Sequence, residues 1–496
     1  MTPILVFGII AGYFLLLMAI SHFTSKKADN STFFTANRNS PWFLVAFGMV
    51  GATLSGVTFI SVPGEVGNSN WTYLQFVMGN MVGYAVIALV LIPVFYNLKL
   101  VSIYEYLQKR FGRNSYLTGS GFFLVSQTIG ASFRLFLAAL VLQMAFFDAF
   151  GIPFYVTVFV TIGLIWLYTF RGGIKTIVWT DTLQTSFLLI AVVISIYMIV
   201  AQLDLNISEV FKTVSKSENS EIFDWNWRSD RNFFKTFLAG VFITIAMNGL
   251  DQNVMQKNLT IKNTRDAQKN IFWFSLTFFF STLLFLILGV LLYAYTLENN
   301  IALPEKTDGL YPMLALNHFG IAAGIVFLLG IIAAAFSSAD SALTALTTSF
   351  CVDILDIQKG KLENQKKTRL LVHIGFTILM FCVIVIFNSF NDSSVVNSVF
   401  KVAGFTYGPL LGLFIFGLVS KVKVKDRWVP LVCIAAPVIS VILDLYSTEW
   451  FFGYQFGFEI LLVNAAITCL GLYLLKTPKK ETEATPSEEV KEDVLV

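Results

Sequence analysis

The sequence predicts an all-α polytopic membrane protein with about thirteen transmembrane helices. Three observations carry that reading. Apolar runs of about 20 residues recur along the chain, basic residues gather in alternate loops, and two of the runs are interrupted by polar, glycine-containing breaks. The composition agrees: 56% of the 496 residues are hydrophobic and 13% charged, about half the charged share of a soluble domain.

Spans are expected near 3–24, 42–62, 74–97, 116–147, 153–170, 182–202, 234–256, 271–296, 313–350, 370–387, 394–418, 428–446 and 457–475. The first run has no basic residue ahead of it and Lys26 and Lys27 behind it. That is the reverse of a secretory signal, so it is read as a retained span with its N-terminus outside. Threading from there puts most of the 34 basic residues in inside loops, for example Lys109 and Arg110, Lys257 and Lys262, Lys366 and Lys367, and Lys421 and Lys423. The C-terminus is then cytoplasmic, in a plasma (inner) membrane. Outside cations fall mainly in one long loop, 203–233, where the charge rule is weakest. Its Trp225 and Trp227 suit a short interfacial element.

The net charge of +3 and the lack of a basic stripe argue against nucleic-acid binding. Cys351, Cys382, Cys433 and Cys469 lie far apart in apolar segments and are read as structural. His22, His318 and His373 fall near expected span ends, with no Ser/His/Asp or HExxH arrangement. An enzyme is therefore not expected.

Ionisable groups at membrane depth are costly and mark function. They are Arg134, Asp181, Asp251, Asp340 and, nearer an end, Lys401. The second span reads Gly51-Ala52-Thr53-Leu54-Ser55-Gly56-Val57-Thr58. Such a helix can unwind, exposing carbonyls for a small cation and hydroxyls for a polar solute. The same residues would also make a close helix-packing face. Five spans later Asn248-Gly249-Leu250-Asp251-Gln252 forms a second polar break. Two interrupted helices at matching places mark an inverted-repeat transporter with its site between the halves.

In the ninth span Ser337, Asp340, Ser341 and Thr344 share one helical face, an oxygen-rich set for a hard cation. Hydroxyls bonding back to their own helix are the other reading of the serines. Asp181 is expected at the start of the sixth span, as a helix cap or a cation ligand. Arg134 suits the carboxylate of a substrate, an ion pair with Asp251 or Asp340, or a lipid headgroup.

At the second span, Trp179-Thr180-Asp181 and Ser337-Ser338, the chain resembles the sodium:solute symporter family over essentially all the expected spans. The resemblance implies the LeuT-like fold with two inverted five-helix repeats, at 42–202 and 234–418. An extra helix and loop would precede them (1–41), loop 203–233 would be extracellular, two helices would follow (419–476), and 477–496 would be a disordered cytoplasmic tail. It implies a sodium site made by the carbonyls of Gly51, Leu54 and Ala334 and the hydroxyls of Ser337 and Ser338. A second cation would lie at Asp181, Ser337, Asp340 and Ser341, although Asp340 stands where family members with that site usually have an uncharged residue. Substrate contacts would come from Thr53, Ser55, Thr58, Tyr73, Asp251 and Gln252. Sialic acid transporters of the family carry an arginine that Arg134 matches, while a glutamine of their third span falls at Val77, with Gln75 two residues away.

The expected function is sodium-coupled import of a small polar organic solute by alternating access: a sugar, a sugar acid such as sialic acid, or another carboxylate. The chain would work as a monomer in the bilayer, with sodium as coupling ion and no other cofactor. A solute sensor on the transporter fold, or proton coupling through Asp340, are the alternatives.

Overall fold

Apolar helices dominate the computed structural model, which describes residues 3–24, 36–357, 365–389 and 395–477. All but the first residue of the expected tail lies outside these, as do Lys26, Lys27, Lys359 and Lys361. Among the described residues there is no strand, only two isolated bridges.

In chain order the helices that make up the candidate spans are α1 (Pro3–Thr24), α2 (Trp42–Thr53), α3 (Gly56–Ser69), α4 (Tyr73–Asn97), α5 (Arg113–Phe150), α6 (Phe154–Phe170) and α7 (Gly173–Gln202). They continue with α8 (Phe233–Gly249), α9 (Gln252–Asn258), α10 (Thr264–Glu298), α11 (Ile321–Ile354) and α12 (Gln365–Asn388). The last are α13 (Val395–Thr406), α14 (Gly408–Val419), α15 (Asp426–Leu445) and α16 (Ile460–Leu474). Eight helices are long and apolar enough to cross a membrane alone. Three bent pairs pass the same test together, and α6 and α16 are shorter apolar helices.

Both expected breaks are present. The α2/α3 pair bends by 55° and the α8/α9 pair by 68°. A third bend, of 47° between α13 and α14, falls inside the expected span 394–418. There Pro409, which has no N–H to donate, follows Gly408 in the first turn of α14.

Two other boundaries differ from expectation. Span 313–350 is two helices, because the chain turns at Gly320 (φ +85°) between Leu310–Asn317 and α11. Asp181 does not begin a helix: Gly173 (φ +55°) makes the kink and α7 starts there, so Asp181 sits two turns inside it. Loop 203–233 holds the helix Ile207–Lys216, fixed by a reciprocal cap between Asn206 and Glu209.

Small residues set how closely helices approach. A Cβ on Gly79 of α4 would strike the Phe237 carbonyl oxygen of α8, and one on Gly240 of α8 would strike that of Phe76. These obstacles are backbone and cannot rotate away. Gly79→Val is expected to cost about 1–3 kcal/mol or more, read as a lower thermal midpoint in detergent. An unchanged midpoint would contradict this packing.

Candidate functional site

At the end of α2 the Leu54 N–H closes on the Val50 carbonyl, and Ser55 is extended (φ −64°, ψ 179°). The carbonyls of the last turn, Gly51 and Leu54 included, are thereby left without intrahelical N–H partners. Gly51 faces α7, where its N–H donates to Thr185 Oγ1 at 3.0 Å, and its missing side chain lets the helices touch. A Cβ on Gly48, one turn earlier, would lie 3.0 Å from Asp181 Cβ. On the far side of the break, a Cβ on Gly56 would lie 3.4 Å from the Arg134 carbonyl and 4.0 Å from Ala335 Cβ. The break is thus enclosed by α5, α7 and α11.

Ala334, Ser337 and Ser338 are buried on α11. Ser338 Oγ donates back to the Ala335 carbonyl at 3.0 Å, while Ser337 Oγ donates to Asp181 Oδ1 at 2.6 Å. The break and the Ser337 turn of α11 thus both lie against α7, Gly51 at Thr185 and Ser337 at Asp181 one turn earlier, while the Ser338 hydroxyl bonds back to its own helix.

The larger surprise is Lys257. Its place among loop cations is overturned: the short α9 turns inward after the 68° bend and buries it, leaving the side chain 2% exposed. Lys257 Nζ donates to Asp181 Oδ2 at 2.6 Å, and Ser341 Oγ lies 3.5 Å from the same oxygen. Asp340 is held separately, accepting from the Tyr168 hydroxyl at 2.8 Å and from Ser341 Oγ at 3.2 Å.

Thr53, Ser55, Thr58, Tyr73, Arg134 and Asp251 all line one central cavity of about 880 Å³ including its mouth. Arg134 makes no hydrogen bond or ion pair to any described residue. Asp251 caps α9 through the Asn253 N–H (2.8 Å) and accepts from the Tyr407 hydroxyl (2.5 Å). The expected Arg134–Asp251 and Arg134–Asp340 ion pairs are absent among the described residues.

Gln252 does not reach the cavity. Its amide accepts from the Ile103 N–H at 3.0 Å and donates to the Val101 carbonyl at 2.9 Å, so its capacity is spent on a neighbouring loop. His373 is buried between the hydroxyls of Thr169 (3.2 Å), at the end of α6, and Thr347 (2.8 Å). Lys401 reaches outward to Asp444 at 2.9 Å.

Sequence reasoning missed Gln127, Asn253, Lys257 and Tyr407. Gln127 Nε2 and Asn253 Oδ1 are buried at the cavity without partners; such atoms are costly unless something polar meets them. The glutamine lies in a polar stretch, Ser126-Gln127-Thr128, two turns before Arg134, which was a usable signal.

A second cavity, about 1130 Å³ with its open mouth included, adjoins the first on the side of the 203–233 segment, with Glu65, Asp230, Arg231, Lys401 and Asp444 in its wall. Tyr73, Phe76, Val396 and Phe400 line both. The three rings and Phe458 form a contiguous cluster: Tyr73 stacks on Phe76 (centroids 5.5 Å apart), and the Phe76–Phe400 and Phe400–Phe458 pairs are tilted at 4.9 and 5.0 Å.

Comparison with known proteins gives a consistent picture. The chain is 28% identical over 418 residues to the sodium/sialic acid symporter NanT of Aliivibrio fischeri, covering 81% of this chain and 80% of that one. It is 25% identical over 496 residues to the sodium/sialic acid symporter SiaT of Proteus mirabilis, covering 97% of each. Its fold matches that of a sodium-coupled sialic acid symporter solved in a substrate-bound outward-open state, with a TM-score of 0.79, 23% identity and coverage of 95% and 97%. The fold is thus the inverted-repeat transporter fold. The sodium:solute symporter family model matches residues 33–425, most of the chain, and the chain belongs to that family.

Proposed function

We propose that this chain is a sodium-coupled symporter that imports a small polar solute carrying a carboxylate, of the sialic acid class. The observation that carries it is Arg134, a guanidinium at the central cavity that feels the charge of Asp251 but makes no hydrogen bond or close ion pair among the described residues. A fork-shaped cation in that setting binds a carboxylate bidentately. Thr53, Ser55 and Thr58 on the α2/α3 break, with Gln127 and Asn253, supply hydrogen bonds to the solute's hydroxyls and amide, and Tyr73 covers it. Asp251, already bonded by Tyr407, bears on the solute as a second polar wall, and Gln252 supports that wall from behind.

Sodium is held by the carbonyls of Gly51, Leu54 and Ala334 and the hydroxyls of Ser337 and Ser338. Those carbonyls belong to the same break as the solute-binding hydroxyls. An ion that orders the break therefore raises affinity for the solute, and the solute for the ion, by the same factor. Alternating exposure of the site then carries both across. The chain is read as a monomer in a plasma membrane, with its N-terminus and the 203–233 segment outside and its C-terminus inside. Each sodium entering down ~100 mV releases roughly 2.3 kcal/mol, and a tenfold gradient adds about 1.4. A monoanionic solute carried inward with it returns the electrical part.

The test is uptake of a sialic acid into proteoliposomes with sodium outside, on both sides, or absent. Accumulation only with inward-directed sodium is expected. Uptake that ignores the gradient would reject the coupling, and equal uptake of an uncharged analogue would reject the role of Arg134.

A further inference from the structure

We infer that the Lys257 ammonium stands where a second coupling ion would lie, so that the transporter binds a single sodium. The inference rests on the sodium-coupled reading above and concerns the cluster around Asp181. Asp181 and Ser341 would be ligands for a second cation, with Ser337 shared between the two sites. In this structure Asp181 is paired instead with a cation that belongs to the protein, and the hydroxyls of Ser337 and Ser341 turn to the same carboxylate. Lys257 Nζ is 2.6 Å from Asp181 Oδ2, and Ser337 Oγ is 2.6 Å from Asp181 Oδ1.

Burial fixes the arrangement. Asp181, Lys257, Ser337, Asp340 and Ser341 are each at most 2% exposed. Two aspartates share contact with the single hydroxyl of Ser341, at 3.5 and 3.2 Å. Two buried carboxyl groups this close cannot both stay ionised without a positive charge beside them. A lysine ammonium meets the need as a compact point charge with three donors. A free ion would have to displace it from a 2.6 Å contact with Asp181.

The tether has a consequence a free ion lacks. Lys257 sits in the last turn of α9, the short helix that follows the α8/α9 bend, and also lines the central cavity. Its charge moves with the second broken helix and returns with it, so it contributes no net charge to a cycle. One sodium carried with one monoanion is then electroneutral, whereas two would move one positive charge inward.

Equilibrium binding of ²²Na⁺ to the purified chain reads the number directly. The wild type is expected to bind one ion per chain. Lys257→Met, which keeps the length and removes the charge, is expected to bind two, and Lys257→Met with Asp181→Asn one again. Two ions on the wild type, or one on a folded Lys257→Met variant, would overturn the inference. If that variant does not fold, the wild-type number decides. No bound sodium on the wild type would overturn the coupling reading itself, so the two failures are told apart in one assay.

Discussion

Arg134→Ala is expected to weaken binding of a sialic acid by roughly 30-fold to several thousand-fold, the equivalent of the 2–5 kcal/mol lost when one partner of a buried charge pair is truncated. The loss is large because no other unpaired cation among the described residues lines the cavity; Lys257 also borders it but is committed to Asp181. Arg134→Lys keeps the charge and loses the planar fork, so an intermediate loss is expected. Calorimetric titration of the purified variants measures both. Sodium binding should survive in each, which separates a lost solute contact from a misfolded protein. An affinity within threefold of wild type would show that the carboxylate lies elsewhere.

Asp181→Ala is expected to destabilise the protein by about 3–5 kcal/mol, because it leaves the Lys257 ammonium buried beside a partner it no longer has. Removing both charges together, by Lys257→Met with Asp181→Asn, should cost less than the sum of the two single changes, as residues in one ion pair do not act additively. Thermal unfolding in detergent follows all of these variants. Additive losses would mean that the 2.6 Å contact contributes little.

The interrupted helices were legible because their cause is local. Gly51, Gly56 and Gly249 remove side chains, while Thr53, Ser55 and Asp251 offer polar atoms that no apolar span requires. The bend after Tyr407 was less visible, since a single Gly408-Pro409 pair also reads as an ordinary helix start. Lys257 was hidden for a different reason. It follows a break and is flanked by Gln256 and Asn258, which in one dimension is how a loop looks. Only the direction α9 takes after its bend turns that polar run inward. Gln252 failed in the opposite sense. It adjoins Asp251 in sequence, but side chains one residue apart on a helix point different ways, and its amide is matched to the backbone at Val101 and Ile103.

Tyr73, Phe76 and Phe400 border two chambers at once. A traveller between them meets a screen of rings whose motion about a few side-chain bonds is sufficient to admit it. Narrowness at that point is therefore a property of rotamers, which relax far faster than whole helices tilt. Trimming the screen, by contrast with trimming the helix breaks, would quicken arrival and departure while leaving the ledger of what is carried per cycle untouched.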